Sequence, residues 1–308
     1  MENAPKNSQG FALSITNYNL HMTNDIRMLK SKIQSPKNPF SNFESQKILG
    51  QFLVIVTPFL FILIWHLIAA GTTPLILPGP KDVFMRLFSY FVSGRVWPHL
   101  FMTTQEILAG FVLGSILGLG FGTLISESVI ARKVIMPYII VTQALPKFAL
   151  APMLVIWFGF GMAPKVIIAA LIAFFPLVEN TYMGLTTTPG SQLELFRALR
   201  ASRITTLLKL RVPHAIPAIF SGFRVALMLS LVGAVVAEYV GANQGLGALI
   251  IVSQGTLDTE LMFVAFVVLT VLGLSLDWLY GLVYKAVLVK LYGKSISNIS
   301  SSTSRLSV

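Results

Sequence analysis

A chain of 308 residues that is 55% hydrophobic and only 11% charged has too few polar side chains to cover a soluble globular protein. Together with a mean hydropathy of +0.76, this composition assigns the chain to a lipid bilayer. We attribute the net charge of +11 to membrane topology and to attraction by anionic lipid, and not to nucleic-acid binding. The absence of cysteine excludes disulfides and thiol chemistry.

The two ends of the chain are polar. Residues 1–46 contain clustered Asn, Ser and Lys without an apolar run, which is typical of a disordered tail. A cleaved signal peptide is not expected, because the first apolar run begins near residue 51 and is too long. We predict one transmembrane domain over 47–290 and a second polar tail over 291–308.

Six apolar runs have the length that a bilayer requires. A hydrocarbon core about 30 Å thick needs roughly 20 apolar residues per helical span. The runs are continuous, whereas barrel strands alternate with a period of two. We therefore predict an all-α polytopic membrane protein with about six transmembrane helices, at approximately 51–71, 100–125, 134–157, 164–186, 216–238 and 262–285.

Glycine recurs every fourth residue in the second predicted span, at Gly110, Gly114, Gly118 and Gly122. This spacing leaves one helix face without side chains, so that another helix can approach closely in lipid. We expect that face to lie in a helix–helix contact. A phosphate-binding loop is rejected, because the glycines lie inside an apolar span.

The third span contains Pro137, Pro146 and Pro152, and Lys147 follows directly after Pro146. Proline removes a backbone donor, so this helix is predicted to kink. Carbonyl groups freed at membrane depth need protein or a water-filled path. Pro146 and Lys147 are therefore candidate residues of a translocation path. The alternative is a purely structural kink, with the Lys147 ammonium extending to the interface.

Further charged residues lie within the predicted spans and need partners there. Arg224 lies about two turns into the fifth span and Glu238 ends it, and both are candidates for the path. Asp277 lies in the middle of the sixth span, where Arg224 or a neighbouring chain could pair with it. Glu179 is placed near the cytoplasmic end of the fourth span, where we favour an interfacial contact over a proton relay.

The distribution of Lys and Arg predicts the orientation. Residues 1–50, 126–133, 187–214 and the segment from Lys285 onward carry six, two, five and four of the 23. By the positive-inside rule, both termini and the 187–214 segment face the cytoplasm. The opposite side carries only Lys81, Arg86, Arg95 and Lys165, while Lys147 and Arg224 fall within spans.

No catalytic constellation is recognisable. The four histidines form no pair at metal-ligand spacing, and neither a nucleophile elbow nor a phosphate loop occurs. We expect no enzymatic activity, no metal and no cofactor on this chain. The energy for any active transport would come from a gradient or from another subunit.

Residues 187–214, called here the basic loop, separate the fourth and fifth spans. Ser191 and Glu194 match a capping box that would begin a short helix. A second short helix is predicted from Ser202 to a point before Pro213. The apolar side of the two helices would include Leu195, Leu199, Ile204, Leu207 and Leu208, and the basic residues that face outward would be Arg197, Arg200, Arg203, Lys209 and Arg211.

The basic loop resembles the cytoplasmic loop of binding-protein-dependent ABC importer permeases. That loop reads Glu-Ala-Ala-x-x-x-Gly, then nine residues, then Ile-x-Leu-Pro. With Pro213 as the final proline, Glu194 matches the glutamate, and Leu210 and Val212 occupy the aliphatic positions. Arg200 stands where the family has glycine. The two alanines are replaced by Leu195 and Phe196.

Over about residues 50–290 the chain is similar to the nitrate, sulfonate, taurine and bicarbonate branch of these permeases. The similarity lies in Leu77-Pro-Gly-Pro80, Leu145-Pro-Lys-Phe-Ala-Leu-Ala-Pro-Met153, Trp157-Phe-Gly-Phe-Gly161, Phe174-Phe-Pro176, Gly222-Phe-Arg224 and Ala237-Glu238 with Gly245-Leu-Gly247.

The resemblance implies the type I importer permease fold in a bacterial inner membrane, and pairing with itself or with a sister permease. A periplasmic or lipid-anchored binding protein would deliver a small solute, and a cytoplasmic ATPase dimer would bind ATP and Mg²⁺. Gly245, Gly247 and the 72–99 loop would lie on the binding-protein side. The substrate stays open among nitrate, sulfonate, bicarbonate and heterocyclic vitamin precursors. The implied contacts with the ATPase are Glu194, Arg197, Arg200, Arg203 and Pro213.

A gradient-driven secondary transporter is the competing hypothesis, with Glu179 or Asp277 as its coupling carboxylate. Against it, no inverted repeat is detectable, and a lone six-span chain lacks half of such a machine. A membrane-embedded enzyme is a weaker third option, because it would need a polar constellation at one depth. A bound ATPase and a bound secreted protein would separate the importer from both.

Overall fold

The computed structural model of the chain describes residues 39–292, with side chains over 52–290. The chain divides into two compact units, one ending at Leu67 and the other beginning at Ile68. The predicted tails, 1–46 and 291–308, lie largely outside the described residues. Their extent and the limits of the transmembrane domain therefore stay predictions.

The regular structure of residues 39–292 is helical, as expected for backbone that must satisfy its own hydrogen bonds in lipid. The helices in chain order are α1 Pro39–Ala70, α2 Pro80–Val92, α3 Val96–Glu127, α4 Val129–Ala144, α5 Ala151–Phe158, α6 Met162–Thr186, α7 Gly190–Ala198, α8 Arg203–Glu238, α9 Leu246–Gly255 and α10 Thr259–Tyr292.

Five helices are long and apolar enough to cross a bilayer: α1 from Phe52, α3, α6, α8 and α10. The bent pair formed by α4 and the segment Lys147–Phe158 gives a sixth span if it is counted as one. The prediction of an all-α protein with about six spans is thereby confirmed. The sequence did not predict α2 and α9, which have 13 and 10 residues and are too short to cross.

The third span breaks where its prolines predict. Pro146 precedes a 3₁₀ turn at Lys147–Leu150, and the two parts of the span meet at 86°. Pro152 lies in the first turn of α5, where a missing N–H costs no helical hydrogen bond. The predicted kink is confirmed.

The glycine stripe of α3 lies against α6, as predicted. A Cβ atom added to Gly114 would lie 2.6 Å from the carbonyl oxygen of Ala170, and one added to Gly122 would lie 2.6 Å from Cβ of Thr181. Both distances are well below van der Waals contact, so the two backbones touch. Helix α8 completes this core through Leu227 and Ala234.

Two predictions for the basic loop are wrong. Helix α7 begins at Gly190 with Pro189 as its N-cap and without a side-chain capping bond, so Ser191 and Glu194 form no capping box. The helix from Arg203 does not end before Pro213 but continues as α8. A π-turn at Leu207–Arg211 precedes Pro213, which then lies in the first regular turn, where proline is tolerated.

Candidate functional site

The basic loop presents apolar and cationic side chains together at the surface. Leu195, Leu199, Ile204 and Leu208 are each more than half exposed, so the predicted apolar side does not turn inward. The cationic side chains surround a cavity of about 360 Å³ with one carboxylate, Glu127. Such a surface lacks the polar covering of a free loop and is suited to contact with another protein. The arginines of the cavity are Arg197, Arg203 and Arg211.

Arg200 forms the turn between α7 and α8 in a left-handed conformation, with φ of 52°. Glycine adopts this conformation without strain, whereas other residues lose roughly 1–2 kcal/mol. The geometry thus explains why a glycine suits the position that Arg200 occupies. The chain still forms this turn with arginine in place of the glycine of the family. Ser202 then caps the next helix by accepting a hydrogen bond of 3.1 Å from the Thr205 N–H.

Sequence reasoning missed the residue pair that joins the basic loop to the core. Arg211 forms an ion pair with Glu127, the last residue of α3. Both side chains are largely buried, with 22% and 28% of their surfaces exposed. The available signal was a lone acidic residue at the predicted cytoplasmic end of an apolar span.

Pro146 and Lys147, two predicted path residues, line a cavity of about 480 Å³ at the broken span. The Lys147 ammonium lies 4.7 Å from the centroid of the Phe175 ring and donates to the Gln143 carbonyl at 3.2 Å. Glu179 lines the same cavity. Cation, aromatic ring and carboxylate together can bind a small polar solute in a largely apolar setting.

Arg224 lies apart from that cavity and pairs with Asp277 of α10. Its Nε and Nη2 atoms donate to the two carboxylate oxygens at 2.7 and 2.8 Å, a bidentate geometry. The partner expected for Asp277 is thereby confirmed. The pair lines a second cavity, of about 430 Å³, together with Trp278 and Tyr280.

Glu238 is buried, with 1% of its surface exposed. Its carboxylate accepts 2.6 Å and 2.5 Å hydrogen bonds from the Thr103 hydroxyl and the Gly247 N–H. A Cβ atom on Gly247 would lie 2.8 Å from Glu238 Oε2. Gly245 and Gly247, the two glycines predicted to face a binding protein, therefore also let the backbone of this turn approach the Glu238 carboxylate closely. Gly245 has a φ of 132°, a conformation that favours glycine.

The sequence analysis also missed the ion pair between Lys165 and Glu106. Lys165 donates to Glu106 at 2.6 Å, and both residues are buried. Lys165 lies in the first turn of α6, within the fourth predicted span. The signal for Glu106 was a carboxylate inside an apolar span. We call Thr103, Glu106, Lys165 and Glu238, with the turn 245–247, the carboxylate cluster.

Among the side chains described over 52–290, no three from His, Asp or Glu come together in a way that could hold a metal ion. The predicted site residues are thus distributed over four places: the basic loop, the cavity at Lys147, the Arg224–Asp277 pair and the carboxylate cluster. The structure does not unite the predicted path residues Pro146, Lys147, Arg224 and Glu238 in one cavity.

Comparison with known proteins gives consistent results. The family model described as binding-protein-dependent transport system inner membrane component matches residues 107–289. A probable ABC transporter permease protein of Haemophilus influenzae is 39% identical over 71% of this chain and 91% of its own length. The riboflavin transport system permease protein RibX of Chloroflexus aurantiacus is 35% identical over 74% of this chain and 85% of its own.

A more distant relative is the putative aliphatic sulfonates transport permease protein SsuC of Bacillus subtilis, 29% identical over 72% of this chain and 82% of its own. Among solved structures, a chain of the inward-facing MetNI methionine ABC transporter has a TM-score of 0.56 at 17% identity. It covers 62% of this chain and 95% of its own. At 17% identity this match shows similarity of fold alone.

Proposed function

The chain belongs to the family of inner membrane components of binding-protein-dependent transport systems, the permeases of ABC importers, and we propose that its basic loop couples transport to a separate ATPase. The observation that carries this proposal is the surface of the loop, where exposed leucines stand beside arginines and Arg211 is tied to Glu127 of α3. A partner that moves this loop would also move two core helices.

We propose that ATP and Mg²⁺ are bound by two cytoplasmic ATPase subunits and that the permease pairs with a second copy or a sister chain. An extracytoplasmic binding protein would deliver the solute on the side of Gly245 and Gly247. Both termini would lie in the cytoplasm, since that orientation places most of the Lys and Arg residues inside.

The cavity at Lys147 is the proposed part of the translocation path. Its lining combines an ammonium group with the rings of Phe148 and Phe175. This chemistry suits a small solute with an anionic group, such as a sulfonate, or with a planar ring that stacks on an aromatic side chain. Arg224 contributes less to anion binding, because Asp277 already neutralises it.

The gradient-driven alternative gains no support from the placement of Asp277. Both carboxylate oxygens of Asp277 accept hydrogen bonds from Arg224, so this group is already engaged within the chain. Glu179 is exposed and lines the Lys147 cavity.

The test is the charge reversal of Arg200 and Arg203 to Glu in the full transporter, purified from native membranes in mild detergent. We expect the ATPase to be retained less well and solute uptake in vesicles to fall at least about tenfold, with the permease still inserted. Lys133→Glu, an exposed reversal outside the loop but on the same predicted side, is the matched control and should behave as wild type.

Normal uptake by the Arg200→Glu/Arg203→Glu variant would remove the coupling role from these arginines. Purification of the wild-type chain without any ATPase, under conditions that keep a known importer intact, would refute the proposed function itself.

A further inference from the structure

The carboxylate cluster contains two buried acids and one buried base. Glu106 and Glu238 are exposed by 0% and 1%, and Lys165 by 6%. Among the side chains described over 52–290, Lys165 is the one cation that contacts either carboxyl group. If both acids were ionised, the cluster would keep one uncompensated negative charge inside a membrane domain, which is strongly unfavourable.

The hydrogen bonds of the two carboxyl groups indicate where one compensating proton can bind. Both oxygens of Glu238 accept bonds, from Thr103 and from Gly247, and Glu106 Oε1 accepts from Lys165. Glu106 Oε2 is buried without a donor. Thr103, which donates to Glu238, lies three residues before Glu106 on the same face of α3, so this contact brings Glu238 close to Glu106. A hydrogen bond between the two carboxyl groups would require one proton, because a carboxylate cannot donate.

The groups that face the pair come from every helix packed against it. Lys165 belongs to α6, Thr103 to α3 and the Gly247 N–H to α9. His99 is near but directed elsewhere, since its Nδ1 lies 2.9 Å from the Gly245 carbonyl oxygen. Tyr239 follows Glu238 in the chain. A shared proton leaves the cluster electrically neutral with these neighbours.

We propose that Glu106 and Glu238 bind one proton between them, and that this proton keeps the turn 245–247 attached to α3 and α8. With the proton present, Glu238 can lie beside Glu106 and still accept from Gly247. Without it, two adjacent carboxylates repel each other, and the attachment of Glu238 to α9 weakens. The site is therefore a proton-binding site that holds the start of α9 in place, whichever solute the protein carries.

Infrared spectroscopy of the purified full-length permease, in a detergent that contains no ester or carboxylic acid group, tests the proposal directly. A protonated carboxylic acid has a C=O stretching band that ionised carboxylates and amides lack. We expect this band in the wild type at neutral pH and its disappearance as the pH is raised. Wild-type spectra without the band, at a pH where the protein is folded, would overturn the proposal.

Two isosteric variants test whether the proton is shared. Glu106→Gln and Glu238→Gln each leave one acid and one base, Lys165, in the cluster, so the remaining acid should ionise to balance the charge, and the band should vanish completely in both variants. Glu179→Gln, which removes an exposed acid, should keep the band. Persistence of the band in either Glu106→Gln or Glu238→Gln would show that one residue holds the proton alone and would refute the shared site.

Thermal unfolding of the same samples provides an independent readout. Wild type should lose several degrees of melting temperature as the pH is raised from neutral to alkaline, because the folded state loses its proton. Glu106→Gln carries a permanent neutral group at this position and should show no such loss. An equal loss in both proteins would contradict the role of the proton in holding α9.

Discussion

Arg200, in the turn between α7 and α8, has the left-handed backbone conformation that favours glycine. Replacing it with glycine should relieve the strain and stabilise the permease by about 1 kcal/mol. The matched control is Arg197→Gly, which makes the same chemical change inside α7 and should destabilise by roughly 0.5–1 kcal/mol. Thermal unfolding of the purified permease measures both, and equal effects would contradict the strain at Arg200.

In the Arg224–Asp277 pair, removing one charge should reduce the amount of folded permease more than removing both. Asp277→Asn leaves an unpaired arginine within a spanning helix, so the amount of folded permease in membranes should fall several-fold. The double variant Arg224→Gln/Asp277→Asn removes both charges and should recover most of it. Quantitative blotting after detergent extraction distinguishes these outcomes, and an unaffected Asp277→Asn variant would show that the pair is dispensable.

Single residues show the limit of prediction from the sequence. Asp277 could be assigned a partner, because few charges lie inside the spans. The Lys165–Glu106 pair could not be assigned, because its members lie in different helices and only the packing of α3 on α6 brings them together. An acid within an apolar span indicates that a partner exists but does not identify it.

At the scale of helices, the glycine stripe makes a clear prediction. Gly114→Val should separate α3 from α6 and strongly destabilise the permease, because its side chain would meet the Ala170 backbone. Gly120→Val is the matched control, since a Cβ there meets no atom within 4 Å, and it should be nearly neutral. Size-exclusion chromatography after heating compares them. Similar stability of the two would place the helix contact elsewhere.

Apolar length and repeating residue patterns predicted the spans and their contacts well. The sequence signals for where a helix begins or ends predicted the helix bounds poorly. Apolar length, prolines and spaced glycines identified the spans, the break in the third and the contact face of α3. The capping box failed, because α7 begins at Gly190, one residue before Ser191, with Pro189 as its N-cap. The end predicted before Pro213 failed because a π-turn accommodates the proline. Both depend on local backbone geometry that residue spacing does not specify.

At the scale of the whole second unit, α3 and α8 are joined near both ends. Arg211 pairs with Glu127 beside the basic loop, and Glu238 bonds with Thr103 in the carboxylate cluster. Glu127→Lys should therefore reduce uptake several-fold while ATP hydrolysis continues, because the loop would move without α3. The exchange variant Glu127→Arg/Arg211→Glu should restore uptake. Full uptake with Glu127→Lys alone would exclude this connection from coupling.

The irregular part of α8 lies entirely at one end. The π-turn at Leu207–Arg211 and the two prolines, Pro213 and Pro217, fall within its first turns. The remaining 218–238 segment is regular and, at 1.5 Å per residue, about 32 Å long. A bend of about 10° at the irregular end would thus displace the Glu238 end by about 5 Å. A small rotation at the irregular end, beside the basic loop, would therefore reach the carboxylate cluster at the opposite end of α8 as a displacement of several ångström.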